Sequence, residues 1–436
     1  MRQFLLAVLV FFSFSSSAQR VLPLEEAIAT ALKNNYDILL SKNDSLSAAI
    51  DYSYRNAGFI PRLNANAGTL WNSNNTKQIL ADGTKRQSNG LKSNNITAQL
   101  ALNWTLFDGF KMFATRDKVA EFVKLGELGI KNQIVNTVAT VINTYYNIVQ
   151  EKQQLKAIED QMSINAERLK LSKYKLDIGV GAKPDVLQSQ LDLNEQKAFQ
   201  LQQQTVIAKL KEVLNQVMNV QQSTLYEVSD SIPINMILSL GDIQSAMENN
   251  NPSLLIAKKN IDIAGITLKE RKAELFPTVS FNSAYNYSRN KNQAVINSFS
   301  TLYNRNNGLN YGLTANIPIL NNFNTRRQIK QAQLDIRYQQ LVYDNQRSLL
   351  SLAVLNAYKD YEWQKKALVL EEENIVLARE NVNIVLEVYR LNSTTLIQLK
   401  EAQKSLQDAY TRLITARYNT KLAETELLRL KGELVR

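Results

Sequence analysis

The sequence predicts an α+β membrane protein with four membrane-spanning β-strands and long antiparallel coiled-coil hairpins. Three observations predict it. Four short segments alternate apolar and polar residues with period two. Two very long stretches read as helix that turns back on itself. Both patterns occur twice, in the same order.

The repetition organises the chain. Leu24-Glu25-Glu26-Ala27-Ile28 leads to Asn34-Asn35, and Leu240-Gly241-Asp242-Ile243 leads to Asn250-Asn251. Pro61-Arg62-Leu63 is echoed by Pro277-Thr278-Val279. The offset is constant: 277 − 61 = 250 − 34 = 240 − 24 = 216. Self-similarity at a fixed offset outranks any single element. It divides the chain into a signal peptide (1–18), a first structural repeat (19–232) and a second (233–436). Arg2, the apolar run Phe4 to Phe14 and the small residues Ser16-Ser17-Ala18 have the form of a secretory signal cut at Gln19. That run is shorter than the roughly 20 apolar residues a spanning helix needs.

The first repeat is expected to place strands at about 62–71 and 96–106. Leu63, Ala65, Ala67, Thr69 and Trp71 alternate with Asn64, Asn66 and Gly68. Ile96, Ala98, Leu100, Leu102, Trp104 and Leu106 alternate with Thr97, Gln99, Ala101, Asn103 and Thr105. The second repeat is expected to place strands at about 278–287 and 309–319. There Val279, Phe281, Tyr285 and Tyr287 oppose Ser280, Asn282 and Asn286, and Tyr311, Leu313, Ala315, Ile317 and Ile319 oppose Gly312, Thr314 and Asn316. Apolar-out, polar-in strands of about 9–11 residues suit a membrane barrel. Trp71, Trp104, Tyr285, Tyr287 and Tyr311 are candidate interfacial anchors. A soluble antiparallel sheet with one wet face alternates in the same way, and period two does not separate the two.

The strand pairs are joined by polar segments, Asn72 to Asn95 and Ser288 to Asn310, expected as external loops. Their basic residues Lys85, Arg86, Arg289 and Arg305 are candidates for contact with anionic lipopolysaccharide. Four strands do not close a membrane barrel, which begins at about eight. An open edge in lipid leaves backbone groups unpaired. If these strands span a membrane, several chains share one barrel.

Helical hairpins are expected at 110–220 and 324–431. Phe110 to Leu176 contains no proline, and Gly179 through Pro184 breaks it. Asn324 to Leu391 repeats this, with a break at Asn392-Ser393-Thr394. Leu155, Ile158, Met162, Leu169 and Leu176 fall on three- and four-residue steps, as do Leu396, Leu399, Leu406, Tyr410 and Leu413. This is coiled-coil spacing. Ile148, Val149, Val382 and Val385 lie off these seams, so each arm has more than one neighbour.

Composition narrows the function. The 436 residues contain no cysteine and no histidine. That removes thiol chemistry, a lipid-anchoring cysteine and the commonest general base and metal ligand. No phosphate loop, nucleophile elbow or metal cluster is present. The reading is a non-enzyme without cofactors. The formal charge of +11 is scattered, with no basic tract of the kind nucleic-acid binding uses. A polar-lined helical tube joined to a polar-lined barrel is a conduit.

These residues resemble the TolC-like outer-membrane efflux proteins over nearly the whole mature length. The resemblance rests on the duplicated leader around Ala27 and Asn34, Pro61 and Pro277, and the junction Trp104-Thr105-Leu106-Phe107-Asp108-Gly109-Phe110 with its degenerate copy Ile317 to Phe323. It rests also on the tip from Tyr174 through Gly179 and Gly181 to Asp185 and Gln190, echoed from Tyr389 through Asn392 to Gln403. The resemblance implies a homotrimer sharing a 12-stranded outer-membrane barrel above a periplasmic α-helical tunnel. It implies a periplasmic membrane-fusion adaptor and an inner-membrane pump of the RND, ABC or MFS type as partners. It implies a gate at the tip, with Asp185 and Tyr389 as a latch and Gln398 and Glu401 near the constriction. Gln398 stands where the family's better-known pattern has an acid. Gly179, Val180, Gly181, Ala182 and Lys183, with Leu391, Asn392, Ser393 and Thr394, are the implied adaptor-docking tips. Two other classes remain open at this point: a soluble periplasmic coiled-coil adaptor or structural protein, and a secreted enzyme with a groove for a polymer.

Overall fold

The computed structural model describes residues 21–224 and 226–434. The signal peptide read at 1–18 lies outside the described residues. The chain forms two compact units. One comprises Met1–Ser45, Gly126–Ile256 and Tyr343–Arg436, and the other Leu46–Leu125 and Ala257–Val342. Each unit draws on both sequence repeats, so a repeat is not a compact body.

In chain order the elements are β1 (Val21–Leu22), α1 (Leu24–Asn34), α2 (Tyr36–Ser53), β2 (Arg62–Ile79), β3 (Lys85–Phe107), α3 (Lys111–Asp177) and α4 (Lys183–Met218). Then follow β4 (Glu227–Val228), α5 (Leu240–Asn250), α6 (Pro252–Ala273), β5 (Thr278–Asn292), β6 (Tyr303–Asn316), α7 (Asn324–Arg390) and α8 (Leu396–Lys431).

The strands exceed the expected ones. Antiparallel pairing of β2 and β3 continues through Asn72↔Ser93 to Asn74↔Leu91, passes a bulge, and runs on to Ile79↔Lys85. The segment expected as a loop, Asn72 to Asn95, is therefore mostly ladder, and only residues 80–84 turn. Its Asn, Ser and Thr side chains carry no apolar alternation, but ladder bonds are made by backbone groups that every residue other than proline supplies in full. In the same way β5 and β6 leave only 293–302 as a loop, so Arg289 and Arg305 are strand residues paired with each other. The last strand, expected to reach 319, ends at Asn316. Pro318 has no N–H to donate to a ladder. The sheet order is β2-β3-β5-β6, all antiparallel, which leaves β2 and β6 as open edges.

Helices α3 and α7 have 67 residues each, about 100 Å at 1.5 Å per residue. Their return partners α4 and α8 have 36 residues each. At the strand-to-helix junction the Asp108 carboxylate accepts from the Met112 amide at 2.9 Å, capping α3. Gly109 has φ +70°, and a Cβ there would meet the Ala273 carbonyl oxygen at 2.3 Å. That explains the Asp-Gly of the junction motif.

Three apolar clusters hold the helical unit. Val138, Val141, Tyr145, Ile148 and Val149 of α3 pack with Leu214 and Met218 of α4 and Ala27 and Ala31 of α1. Leu368, Ile375 and Val382 of α7 meet Leu406 and Leu413 of α8. Ile243 and Met247 of α5 meet Tyr361, Leu427 and Leu430. Residues 216 apart make matching bonds. Asn35 Nδ2 donates to the Val217 carbonyl at 2.8 Å while its Oδ1 accepts the Asp37 and Ile38 amides. Asn251 Nδ2 donates to the Leu430 carbonyl at 3.0 Å while its Oδ1 accepts the Ser253 and Leu254 amides. Each asparagine thus closes one helix end and starts the next. Among the described residues no helix is long and apolar enough to cross a membrane.

Candidate functional site

Two surfaces carry chemistry: the faces of the four-stranded sheet and the tips of the hairpins. Register sorts the sheet faces, because residues directly opposite share a side. Leu63, Leu102, Ser283 and Tyr311 form one row, and Ala65, Leu100, Tyr285 and Leu309 the next. The reverse face carries Asn66, Gln99, Asn286 and Gly308 in one row and Asn103, Asn282 and Gly312 in another. Its amides are bonded to each other: Gln99 Nε2 to Asn286 Oδ1 at 2.9 Å, and Asn286 Nδ2 to Asn310 Oδ1 at 2.7 Å. No residue of these four strands is buried.

All five aromatic anchor candidates lie on the apolar face, at different levels. Trp104 is level with Phe281 and Leu313 near one end, and its indole donates to the Phe59 carbonyl at 2.8 Å. Trp71 is level with Asn94, Lys291 and Tyr303 near the other end. Tyr285, Tyr287 and Tyr311 fall between them. Phe281 and Tyr303 share the end levels; the sequence placed Phe281 on this face but not among the anchors, and Tyr303, at period-two spacing from Tyr311, was missed.

At the first tip, Gly179 takes φ +78°, and Val180 and Gly181 donate to the Lys175 carbonyl at 3.0 and 2.9 Å. A Cβ on Gly181 would stand 2.8 Å from the backbone of Lys175 and Leu176. At the second tip Asn392 takes the left-handed conformation, φ 58°. Thr395 and Gln398 then form a reciprocal capping box that starts α8. The Gln398 side chain is thus committed to the cap. Glu401 is exposed one turn further on. Of the expected docking residues, Gly179, Val180, Ala182, Lys183, Leu391, Asn392 and Ser393 are exposed, while Gly181 and Thr394 are partly covered. Ile178 and Ile397 add exposed aliphatic surface beside them.

Within the chain no hydrogen bond joins Asp185 to Tyr389, the expected latch. Lys175 is the nearer partner of Tyr389. Its ammonium donates to the Tyr389 carbonyl at 2.5 Å and stands 3.7 Å from the centre of the Tyr389 ring. The Tyr389 hydroxyl lies 3.5 Å from Ser172 Oγ. Burial pushes the Lys175 ammonium below its usual range, and the nearby Asp185 carboxylate works against that.

The sequence reading missed what lies behind the tip. Gln161, Asn165, Arg168, Ser172 and Lys175 follow three- and four-residue steps along α3, and all are buried. They form a polar heptad seam. Apolar spacing marks only the neighbouring Leu169 and Leu176, whereas the same three- and four-residue steps taken by polar residues mark this seam. Arg168 is its centre, 1% exposed. It forms an ion pair with Asp192 of α4 and donates to Gln403 Oε1 of α8 at 2.7 Å. Asp192 also accepts from Lys400 at 2.9 Å and Gln188 at 2.8 Å. Burial raises the Asp192 pKa, but Lys400, Gln188 and the Arg168 charge outweigh it and hold the carboxyl below its usual range. The clasp is incompletely satisfied: Arg168 Nε, Gln196 Oε1 and Gln403 Nε2 are buried without partners. No group of three or more acidic side chains that could hold a metal occurs among the described residues.

The sheet with one apolar face and two open edges and the two long helical hairpins are the parts of an outer-membrane channel protein, as the family match shows. The chain belongs to the outer membrane efflux protein family, whose profile matches residues 27–220 and 243–433. It is 22% identical over 350 residues to the outer membrane efflux protein BepC of Brucella suis, covering 78% of this chain and 72% of that protein. Its fold is similar to that of VceC from Vibrio cholerae, with TM-score 0.75 at 12% identity over 94% of this chain and 96% of that one. It is also similar to the open-state MtrE channel of Neisseria gonorrhoeae, with TM-score 0.72 at 15% identity over 94% and 89%. Membership settles the class as a channel of the outer membrane and not an enzyme.

Proposed function

We propose that three copies of this chain, each giving four strands, close a 12-stranded barrel and a periplasmic helical tunnel. The assembly is the passive exit duct of a tripartite efflux or type I secretion system. It receives cargo from a periplasmic adaptor and an inner-membrane pump of the RND, ABC or MFS type. The observation that carries this reading is the unfinished sheet: an apolar face with no cover and two unpaired edges, β2 and β6. In lipid such edges are prohibitive unless paired, and a second and third copy supply the pairing. The helices support the same assembly. Trp363, Leu370, Leu377 and Ile384 recur every seven residues along α7, and all are exposed. That is a coiled-coil stripe awaiting a neighbour. The offset of 216 residues reads as a tandem duplication supplying two strands and one hairpin per copy.

The tip is the gate in this reading, and the exposed aliphatic turns around Val180 and Leu391 receive the adaptor. The half-satisfied clasp of Arg168, Asp192 and Gln403 and the Lys175–Tyr389 contact hold the two hairpins together. Asp185 acts through its charge on Lys175, and Glu401 lines the approach to the constriction. An incomplete buried network is less stable than a complete one, which suits an element that has to open.

The assembly is testable because the chain has no cysteine. Cysteines scanned in pairs, one on β2 and one on β6, are expected to give covalent trimers on oxidation in membranes. The protein is also expected to conduct ions across planar bilayers. A mature chain that stays monomeric and water-soluble, with no cross-linked species at any register, rejects the duct.

A further inference from the structure

The apolar face of the sheet changes character abruptly. Beyond the rows of Leu63, Ala65 and Ala67, the next row is Thr69, Ile96, Arg289 and Arg305. After it comes Trp71, Asn94, Lys291 and Tyr303, and then Lys92 opposite Ser73. Lys92, Arg289, Lys291 and Arg305 therefore stand on one face within three successive rows.

Among the described residues these cations have no counter-charge. Residues 62–107 and 278–316 carry eight basic residues and a single acid, Asp82. The Asp82 carboxylate accepts the Thr84 amide within the β2–β3 turn. None of the four cations takes part in an ion pair among the described residues. Arg289 and Arg305 are direct cross-strand partners, a placement that is destabilising for like charges. Arg289 Nε is buried without a hydrogen-bond partner, and its Nη2 has only Asn94 Oδ1, at 3.5 Å. The Arg305 guanidinium lies 5.5 Å from the centre of the Tyr287 ring, at the margin of the apolar band.

The level of the cluster identifies its ligand. From the Trp104–Phe281 row to Arg289 is eight residues along β5, and to Lys291 ten. At about 3.4 Å per residue and a strand tilt of about 40°, these rows lie roughly 21 and 26 Å from the Trp104 level. A barrel's apolar band is about 25 Å tall. The cations therefore sit where headgroups begin, with Trp71 and Tyr303 beside them at the level aromatic anchors occupy. Two guanidinium forks match phosphate oxygens in both geometry and charge.

We propose that Arg289 and Arg305, assisted by Lys291 and Lys92, bind the phosphate of an anionic glycolipid headgroup in the leaflet at the hairpin-turn end of the barrel. The inference rests on the sheet being a lipid-facing wall. Lys85 and Arg86 lie beyond the β2–β3 bulge and are outside the site.

The test uses the full mature chain in phosphatidylcholine nanodiscs titrated with bisphosphorylated lipid A, with native mass spectrometry reading the glycolipid retained. Each cation near an anionic surface is worth about fivefold in binding. Arg289→Gln with Arg305→Gln is therefore expected to weaken retention ~30-fold, and Lys85→Gln with Arg86→Gln to leave it unchanged. Arg289→Lys with Arg305→Lys, which keeps the charge and the fold but loses the forks, is expected to fall between wild type and the glutamine pair. Equal retention by the glutamine pair, wild-type retention by the lysine pair, or equal retention of dephosphorylated lipid A overturns the site. Full displacement by millimolar inorganic phosphate overturns the lipid assignment. Failure to enter nanodiscs at all rejects the lipid-facing wall and the site with it, whereas normal insertion without selective retention rejects the site alone.

Discussion

Helix α3 is held in two different ways along its length. From Val135 to Val149 its buried residues are apolar apart from Thr137. From Gln161 to Lys175 they are polar apart from Leu169. The first stretch sits in a packed cluster against α1 and α4. The second meets its neighbours through Arg168, Asp192, Ser189 and Gln403. Apolar packing loses energy with any separation and has no second arrangement. A charged clasp that water can enter has two: bonded, and hydrated. In the proposed duct, that difference makes the apolar stretch the rigid part of the hairpin and the clasp behind the tip its switchable part.

The most severe way to break this contrast is Arg168→Ala. It leaves Asp192 buried with a charge that Lys400 alone opposes. Removing one partner of a buried pair costs about 3–5 kcal/mol. The expected result is a constitutively higher single-channel conductance with unchanged trimer yield. Conductance at the wild-type level would show that the clasp does not hold the tip. Acid should imitate the variant. The Asp192 pKa is depressed in the folded chain, so its contribution is present above the ordinary carboxylate pKa and lost as pH falls through the depressed value. Conductance should therefore rise below about pH 4, and that rise should be absent in Arg168→Ala.

The opposite substitution sharpens the contrast. Replacing Arg168 with Met, Asp192 with Leu and Gln403 with Leu converts the clasp into the kind of packing found at Ile148. Replacing buried ion pairs by apolar residues is often neutral or stabilising, by 1–4 kcal/mol. The triple variant should be at least as resistant to denaturant, with a tip that no longer opens on acidification. A triple variant that gates normally would place the switch elsewhere, with the Lys175–Tyr389 contact the next candidate.

The two stretches were not equally legible in the sequence. Val138 to Val149 announced itself through Ile148 and Val149, apolar residues off the coiled-coil seam that turned out fully buried. The polar stretch did not, because Gln161, Arg168 and Lys175 on a helix ordinarily mean solvent. Arg168 is buried against partners 24 and 235 residues away, and Lys175 against one 214 away. The same limit applies at Tyr389, whose contact with Lys175 across 214 residues is invisible without the fold. The sheet shows the reverse error. Its apolar alternation was read correctly, yet Arg289 and Arg305 were placed in a loop, because ladder bonds leave no trace in side-chain polarity.

The mildest test addresses the rigid stretch itself. Ile148→Val removes one methylene from a fully buried site between α3 and its neighbours. Such a change typically costs 0.5–1.5 kcal/mol, so about 1 kcal/mol is expected in the denaturant midpoint of the assembled protein. If the apolar stretch only anchors, conductance and its acid response should match wild type despite the lost stability. If gating is carried by motion of the whole hairpin, loosening its root should change the open probability as well. Stability and gating measured on this one variant thus decide whether the boundary between packed and clasped helix, between Val149 and Gln161, is also the hinge.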